Sequence, residues 1–137
     1  MFYRWIFPIL LLASTQVQAS TFKTEIIEYI DDVKVVAFIS ESDISKSPRW
    51  DPMQQEIPLT ITDVITVTRK QAAGEKQADG PLSILEIELK EIPKHPGYWH
   101  YLVKTAHGEN GKSHPDFYIV LMNGQVIPAL QEPETIK

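Results

Sequence analysis

The sequence predicts an α+β domain in which a curled antiparallel β-sheet of five to six strands carries one main helix packed on one face. Two observations support this fold class. Residues 21–40 and 82–130 are rich in β-branched and aromatic residues with strand-like alternation, whereas the segment near residue 65 has a helical apolar stripe. A curled sheet with one helix on it is the simplest arrangement that buries both patterns.

The first nineteen residues have the layout of a secretory signal peptide. Arg4 is followed by an apolar run from Trp5 to Ala13, and the segment ends in the small-x-small sequence Val17-Gln18-Ala19. The apolar run is shorter than the roughly 20 residues that a membrane span needs. We therefore expect cleavage after Ala19 and a periplasmic or secreted location. An uncleaved N-terminal anchor is the alternative.

Composition limits the classes of partner. The chain has 13 Lys and Arg against 18 Asp and Glu, a formal net charge of −5, and no cysteine. An acidic balance of this kind argues against nucleic acid and against anionic membrane surfaces, because both select clusters of basic residues. Without disulfides, stability must come from a packed core, which we expect in a single domain over residues 20–130, followed by a flexible tail at 131–137.

The first elements are two strands within residues 21–40, joined by a tight turn at Asp31-Asp32. The segment 41–58 is rich in Ser, Pro and charge and is expected to be a loop with room for one helical turn. Trp50 lies in this loop. Its favoured role is to pack over the edge of the core, and the alternative is to stack on a ligand.

A helix is predicted over residues 60–76. Its apolar stripe has the spacing i, i+3, i+4, i+7 and i+11, and consists of Ile61, Val64, Ile65, Thr68 and Ala72. Thr60 and Asp63 form a capping-box pattern at its start. The many β-branched residues each cost up to about 0.7 kcal/mol of helix propensity, but burial of one large aliphatic side chain contributes about 1.5 to 3 kcal/mol.

The second half returns to strand patterns. In residues 82–92, Leu85, Ile87 and Leu89 alternate with Glu86, Glu88 and Lys90, so one face of this strand should meet water. Further strands are predicted at residues 98–107, 116–122 and 125–130, with a loop at 108–115. Asn123-Gly124 is a strong signal for a two-residue type I′ hairpin turn.

Residues 59–128 resemble the PepSY family of exported bacterial domains. The matching segments are "PLTITDVI", "GYWHYLV" and "DFYIVLMNGQVIP". Val64 stands where that family often has Ala in its helix, and Asn123-Gly124 stands in place of its acidic turn. The resemblance implies a non-enzymatic α+β module, from a family suspected of binding or restraining peptidases, with no catalytic residue to carry over.

All four histidines fall within residues 95–116. If the chain is extended, His100 and His107 lie about 23 Å apart, so four ligands on one metal are excluded. By strand parity, His100 is expected to be half-exposed on the wet face. His107 and His114 bracket the predicted loop and, with Glu109 or Asp116, are a weak alternative for zinc. The favoured interpretation is loop histidines bonded to backbone, without a metal.

No pattern in the sequence indicates catalysis. Ser113 adjoins His114 but lacks a nucleophile-elbow motif, and Glu86 and Glu88 sit beside Lys90 as a solvated stripe. We therefore expect a protein that is not an enzyme and that needs no cofactor.

The largest aromatic group contains Tyr98, Trp99, Tyr101, Phe117 and Tyr118. Most of it should be core, while Tyr98 and Tyr118 are the members expected on the wet face, where they would form a patch for a partner. Together with His100 and Trp50, these two tyrosines are the candidate binding residues.

The sequence thus predicts a small exported binding or interaction module whose partner is a protein of the periplasm or cell surface. The alternative is a cystatin-like or NTF2-like protein with a small-ligand pocket between helix and sheet. A weak metal-dependent hydrolase is a third hypothesis. An unpaired edge strand would also allow a homodimer.

Overall fold

The computed structural model describes residues 23–75, 80–109 and 112–131; the side chains of residues 109 and 112–114 are outside the description. The predicted signal peptide and the tail beyond residue 131 therefore lie outside the described residues. The elements in chain order are β1 (Lys23–Ile30), β2 (Val33–Ser40), α1 (Glu41–Lys46), α2 (Ile61–Gly74), β3 (Leu82–Glu91), β4 (Trp99–Glu109), β5 (Lys112–Leu121), β6 (Val126–Pro128) and β7 (Leu130–Gln131).

The strands of the described residues form two antiparallel sheets rather than one. One sheet has the order β1-β2-β7 and the other has the order β3-β4-β5-β6. The α+β class is confirmed, but the prediction of a single curled sheet is wrong. The first hairpin packs on a face of the larger sheet instead of extending its edge, so both faces of the larger sheet are covered.

The two hairpin turns have different geometries, and the type I′ turn is at Asp31-Asp32. Asp31 and Asp32 have φ angles of 49° and 64°, the double positive φ of a type I′ turn, and they connect the paired residues Ile30 and Val33. At the other turn only Gly124 has positive φ, and the Gly124 N–H donates to the carbonyl of Leu121 at 2.9 Å. That pattern fits the type I turn followed by a left-handed glycine of a longer loop, so the predicted type I′ turn is wrong.

The helix α2 begins where its capping signals predict. The Thr60 side chain accepts from the Asp63 N–H, and the Asp63 carboxylate accepts in return from the Thr60 backbone. Val64, Thr68 and Ala72 are buried, whereas Ile61 is 57% exposed at the mouth of the helix–sheet interface. The short helix α1 occupies the single turn expected in the segment 41–58.

Two apolar clusters fill the two sides of the larger sheet. One lies between the sheets, and its buried members are Ile26, Val35, Ala37, Ile39, Ile44, Ile92, Leu102, Phe117, Ile119 and Leu121. The other lies between the sheet and α2, and its buried members are Val64, Tyr101, Val103, Val120 and Met122. Alternate residues of β5 thus enter different cores, which is the expected pattern for a strand buried on both faces.

Two details of the larger sheet differ from the sequence prediction. The pairing of β3 with β4 shifts register between Ile84 and Glu86, and this bulge turns Leu85 outward, where it is 62% exposed. The expected loop at 108–115 is also mostly strand, because β4 runs to Glu109 and β5 starts at Lys112. His107 and His114 are therefore opposite each other in the β4–β5 ladder.

At the C-terminal end of the described chain, β7 ties Leu130 and Gln131 to β2. Gln131, predicted to begin the flexible tail, is therefore paired in a sheet. A search of the described residues for a helix of membrane-spanning length and apolarity returned none.

Replacing Ile119 tests the packing of the two sheets. Ile119 is fully buried between them, so Ile119→Ala should lower the free energy of unfolding by about 2 to 5 kcal/mol, measured by urea denaturation. The matched control is Ile27→Ala, on the outer face of β1 with 41% exposure, which should cost less than about 1 kcal/mol. Equal losses in the two variants would contradict a core between the sheets.

Candidate functional site

A cleft of about 460 Å³ lies between the segment 47–60 and the start of β4. We call it the tryptophan cleft. Its lining residues are Arg49, Trp50, Asp51, Pro52, Gln55, Glu91, Gly97 and Trp99. It brings together residues that are more than 40 positions apart in the chain.

Hydrogen bonds hold the segment around Trp50 in place. The Trp50 N–H donates to the carbonyl of Gly97 at 2.9 Å, and its indole N–H donates to the carbonyl of Gln55 at 3.1 Å. The Asp51 N–H donates to the side-chain oxygen of Gln55 at 3.0 Å. These contacts fix the Trp50 ring against the sheet, which lowers the ordering cost when a ligand binds.

The Gly97 position disfavours any side chain. Its φ is +83°, and a Cβ there would lie 3.0 Å from Nε of Arg49. Arg49 crosses this glycine, donates to the carbonyl of Pro96 at 3.3 Å, and places its guanidinium 5.6 Å from the ring centroid of Tyr98. The glycine therefore lets Arg49 and Tyr98 meet beside the cleft.

The two tryptophans form an edge-to-face pair. Their ring centroids are 5.3 Å apart and their planes cross at 72°. The indole N–H of Trp99 is buried and has no hydrogen-bond partner among the described residues. A buried donor without a partner costs about 1 to 3 kcal/mol, and because this nitrogen is shielded from solvent it is not itself a contact point for a ligand in this conformation.

The charges of the cleft are mixed. Glu91 accepts from the Gly97 N–H at 3.3 Å, whereas no described carboxylate lies within ion-pair distance of Arg49. The residues that line the cleft include neither serine, cysteine nor histidine. The arrangement suits recognition of an apolar or aromatic group with a neighbouring negative charge.

A second cavity, of about 360 Å³, adjoins the start of α2. We call it the apolar pocket. It is lined by Ile57, Thr60, Ile61, Thr62, Ile87, Leu89 and Tyr101. The Tyr101 hydroxyl donates to the carbonyl of Leu59 at 2.7 Å and so anchors the chain that enters the helix.

Trp50 and Tyr98, both predicted as binding residues, are brought together around Arg49. His100 and Tyr118 are not available in the same way, because they are 1% and 0% exposed. The expectation that both lie on a wet face is wrong. His100 lies on the face of the larger sheet that carries the sheet–sheet core, and Tyr118 is packed on the α2 side.

Tyr118 belongs to a polar cluster at the end of α2. Its hydroxyl donates to Glu75 at 2.8 Å, and burial together with this carboxylate raises the pKa of Tyr118. Asp116 lies nearby, and burial raises the pKa of its carboxyl above the usual range. The hydrogen bond of this cluster is best explained as a structural contact that fixes the C-terminal end of the helix to β5.

The pair His107 and His114 is opposed in the ladder, but the side chain of His114 lies outside the described residues. Nδ1 of His107 is buried and has no described partner. Among the described residues there is no group of three or more His, Cys, Asp or Glu side chains placed to hold a metal ion. The weak zinc alternative therefore stays a prediction about this pair.

Of the eight residues that line the cleft, only Trp50 was predicted as a binding residue, and the others, among them Arg49, Glu91 and Trp99, were missed. Trp99 was expected in the core, and its indole is half-buried beneath Trp50. A usable signal existed, since "PRWDP" and "HPGYW" each place an aromatic residue beside prolines that stiffen the chain. The sequence alone does not show that these two segments face each other in the fold.

Comparisons of this chain with models of protein families, with curated proteins and with solved structures find no match.

His100 predicts a pH dependence of stability. Burial lowers its pKa below the usual 6.5, so the folded protein keeps it neutral. As the pH falls below 6.5 the unfolded chain binds the proton first, and stability should decrease by up to about 1.4 kcal/mol per pH unit. Urea denaturation between pH 7.5 and 5.5 should show a smaller acid loss for His100→Gln than for the wild type.

His95 supplies the matched control, because its shift has the opposite sign. Its imidazole bonds the carbonyl of Pro93 and the carboxylate of Glu41, both at 2.8 Å, and these contacts raise its pKa. The stability that His95 contributes to the folded protein is therefore present below pH 6.5 and is lost as the pH rises through its folded-state pKa. His95→Gln should lose more stability on acidification than the wild type. If the dependence of stability on pH is the same in His100→Gln as in the wild type, the lowered pKa assigned to buried His100 is contradicted.

Proposed function

We propose that this chain is a small exported, non-enzymatic binding module of the PepSY type that engages a protein partner in the periplasm or at the cell surface. The tryptophan cleft is the part of the module that holds the partner. The observation that carries this proposal is the Trp50–Trp99 pair, which lines the cleft and in which the Trp50 backbone and indole N–H groups are both held by hydrogen bonds.

The residue types of the cleft support a protein partner. Tryptophan, tyrosine and arginine are the residues most often found at the energetic centre of protein interfaces. Here Arg49, Trp50 and Trp99 line one cleft, and Trp50 is on a loop that hydrogen bonds already order, while Tyr98 contacts Arg49 from beside the cleft. A preordered loop loses little conformational entropy on association.

The exported location and the non-catalytic role of the proposed module are supported by other observations. Export is supported by the layout of residues 1–19, and the non-catalytic role is supported by the resemblance of residues 59–128 to PepSY domains. The chemistry of the cleft agrees with binding, since its lining holds aromatic, amide and charged groups but neither serine, cysteine nor histidine.

A protein with a small-ligand pocket is the second candidate. It is favoured by the apolar pocket, whose volume of about 360 Å³ lies within the usual range of about 300 to 1,000 Å³ for ligand sites. That pocket is at the entrance of the helix–sheet interface. Deeper in the interface Val64 and Thr68 are fully buried against the sheet, so the space there is filled.

A bait experiment separates the two candidates. Tagged wild-type protein, Trp50→Ala and Tyr29→Ala are incubated with periplasmic extract, and recovered proteins are quantified by mass spectrometry. Tyr29 is the matched control, because it is an exposed aromatic residue, at 71%, on the other sheet. We expect Trp50→Ala to lose a specific protein by at least about tenfold, as for a central interface tryptophan, and Tyr29→Ala to keep it.

Equal recovery by Trp50→Ala and the wild type would contradict the proposal. Binding of a small apolar probe such as 1-anilinonaphthalene-8-sulfonate that is lost in Ile61→Ser but kept in Trp50→Ala would favour the small-ligand alternative. Circular dichroism of each variant confirms that the fold is retained.

A further inference from the structure

The tryptophan cleft and the apolar pocket share one wall, the strand β3. Glu91 lines the cleft, and Leu89 and Ile87 line the pocket. Glu91 pairs with Trp99 and Leu89 pairs with Tyr101 on β4. Because alternate residues of a strand face the same side, these β3 residues mark a continuous groove on the α2 side of the sheet.

The outer edge of β3 is open. β3 is the terminal strand of its sheet, and within the described residues no other strand pairs with that edge. The bulge at Leu85 interrupts the regular ladder, which leaves residues 86–91 as an uninterrupted stretch. An edge of this kind presents backbone N–H and C=O groups that only another extended chain satisfies in full.

We propose that an extended segment of the protein partner adds as a new strand along residues 86–91, with one side chain in the apolar pocket and one in the tryptophan cleft. This inference rests on the proposed function and names its mode of recognition. Backbone hydrogen bonds to β3 supply the affinity, and the two cavities supply the specificity.

The two cavities define the chemistry of the segment. They adjoin β3 at positions two residues apart, about 7 Å, so the recognised side chains stand at i and i+2 of the partner strand. The apolar pocket fits an aliphatic side chain, and the cleft fits an aromatic or aliphatic one against Trp50. Arg49, which forms no ion pair with a described carboxylate, favours an acidic residue next to the side chain in the cleft, on the side away from Asp51 and Glu91 of the lining.

A second copy of this chain is a poorer occupant of the edge. Antiparallel pairing of two β3 strands centred on Glu88 would set this carboxylate against its own copy, and like charges directly opposite are destabilising, whereas pairing centred on Leu89 would set Glu88 against Lys90. Each chain also carries a net charge of −5. A partner segment with an acidic residue only near Arg49 avoids this repulsion.

The probe for the test is a library of random eight-residue peptides displayed on phage and selected on the full chain after signal removal. We expect selected peptides to share two apolar residues at i and i+2 with an acidic neighbour. A synthetic copy of the best peptide is then N-methylated at one backbone nitrogen at a time. Methylation of every second residue should weaken binding by at least tenfold, while methylation between them should not, because alternate N–H groups face the neighbouring strand.

Leucine replacements on β3 give matched controls. Leu89→Lys changes the wall of the apolar pocket and should weaken peptide binding by at least about tenfold. Leu85→Lys makes the same change at the outward bulge and should leave binding within about twofold. Failure to select any peptide, uniform tolerance of N-methylation, or a dimer in sedimentation that Leu89→Lys dissociates would each overturn strand addition.

The outcomes separate this inference from the proposed function. If Trp50→Ala abolishes capture of the partner but the selected peptides tolerate every N-methyl group, the binding module stands and strand addition fails. If alternate N-methylation blocks peptides whose affinity does not change in Trp50→Ala, strand addition stands and the role of the cleft fails.

Discussion

The pairing of β4 with β5 buries both faces of these two strands, and this double burial determines where the other elements lie. Residues 117–122 are each at most 2% exposed, with alternate side chains in the two cores. The first hairpin must therefore cover one face while α2 covers the other. A sheet used on both sides in this way has only its edges and its loops left for recognition.

The location of the candidate site follows from that constraint. α2 and the segment that leads into it cover the central strands and leave β3 exposed along one edge. The same segment is pinned to the β3–β4 turn through Trp50 and Gly97, so a cleft forms where the cover of the sheet ends. Charged residues on the far side of β3, among them the ion pair of Glu88 with Lys90 at 2.8 Å, keep that side hydrated.

Local patterns predicted the helix well and the arrangement of sheets poorly. The start of α2 depends on Thr60 and Asp63, which are three residues apart, and the prediction placed it within one residue. The uninterrupted apolar run at 117–122 is typical of a strand buried on both faces, although Tyr118 was expected on a wet face. It did not say that the hairpin of β1 and β2 would supply the second cover, because that choice depends on packing between residues about 90 positions apart.

The same distinction applies to the binding residues. Trp50 was found because it is an aromatic residue in a polar loop, and Tyr98 because it belongs to the largest aromatic group of the sequence. The buried state of His100 was not predictable from strand alternation, since parity gives the face on which a side chain lies but not what covers that face. Trp99 and Arg49 join the site only because two distant turns meet.

Amide hydrogen exchange of the free protein, measured residue by residue with NMR, tests the central claim that the middle of β4 and the end of β5 are enclosed on both faces while the edge of β3 is open. Amides of residues 100–103 and 117–121 should exchange only through global unfolding, and every second amide of residues 86–91 should exchange at close to the rate of an unstructured peptide. Slow exchange of all amides in residues 86–91 would mean that the edge is already paired, and would contradict this account.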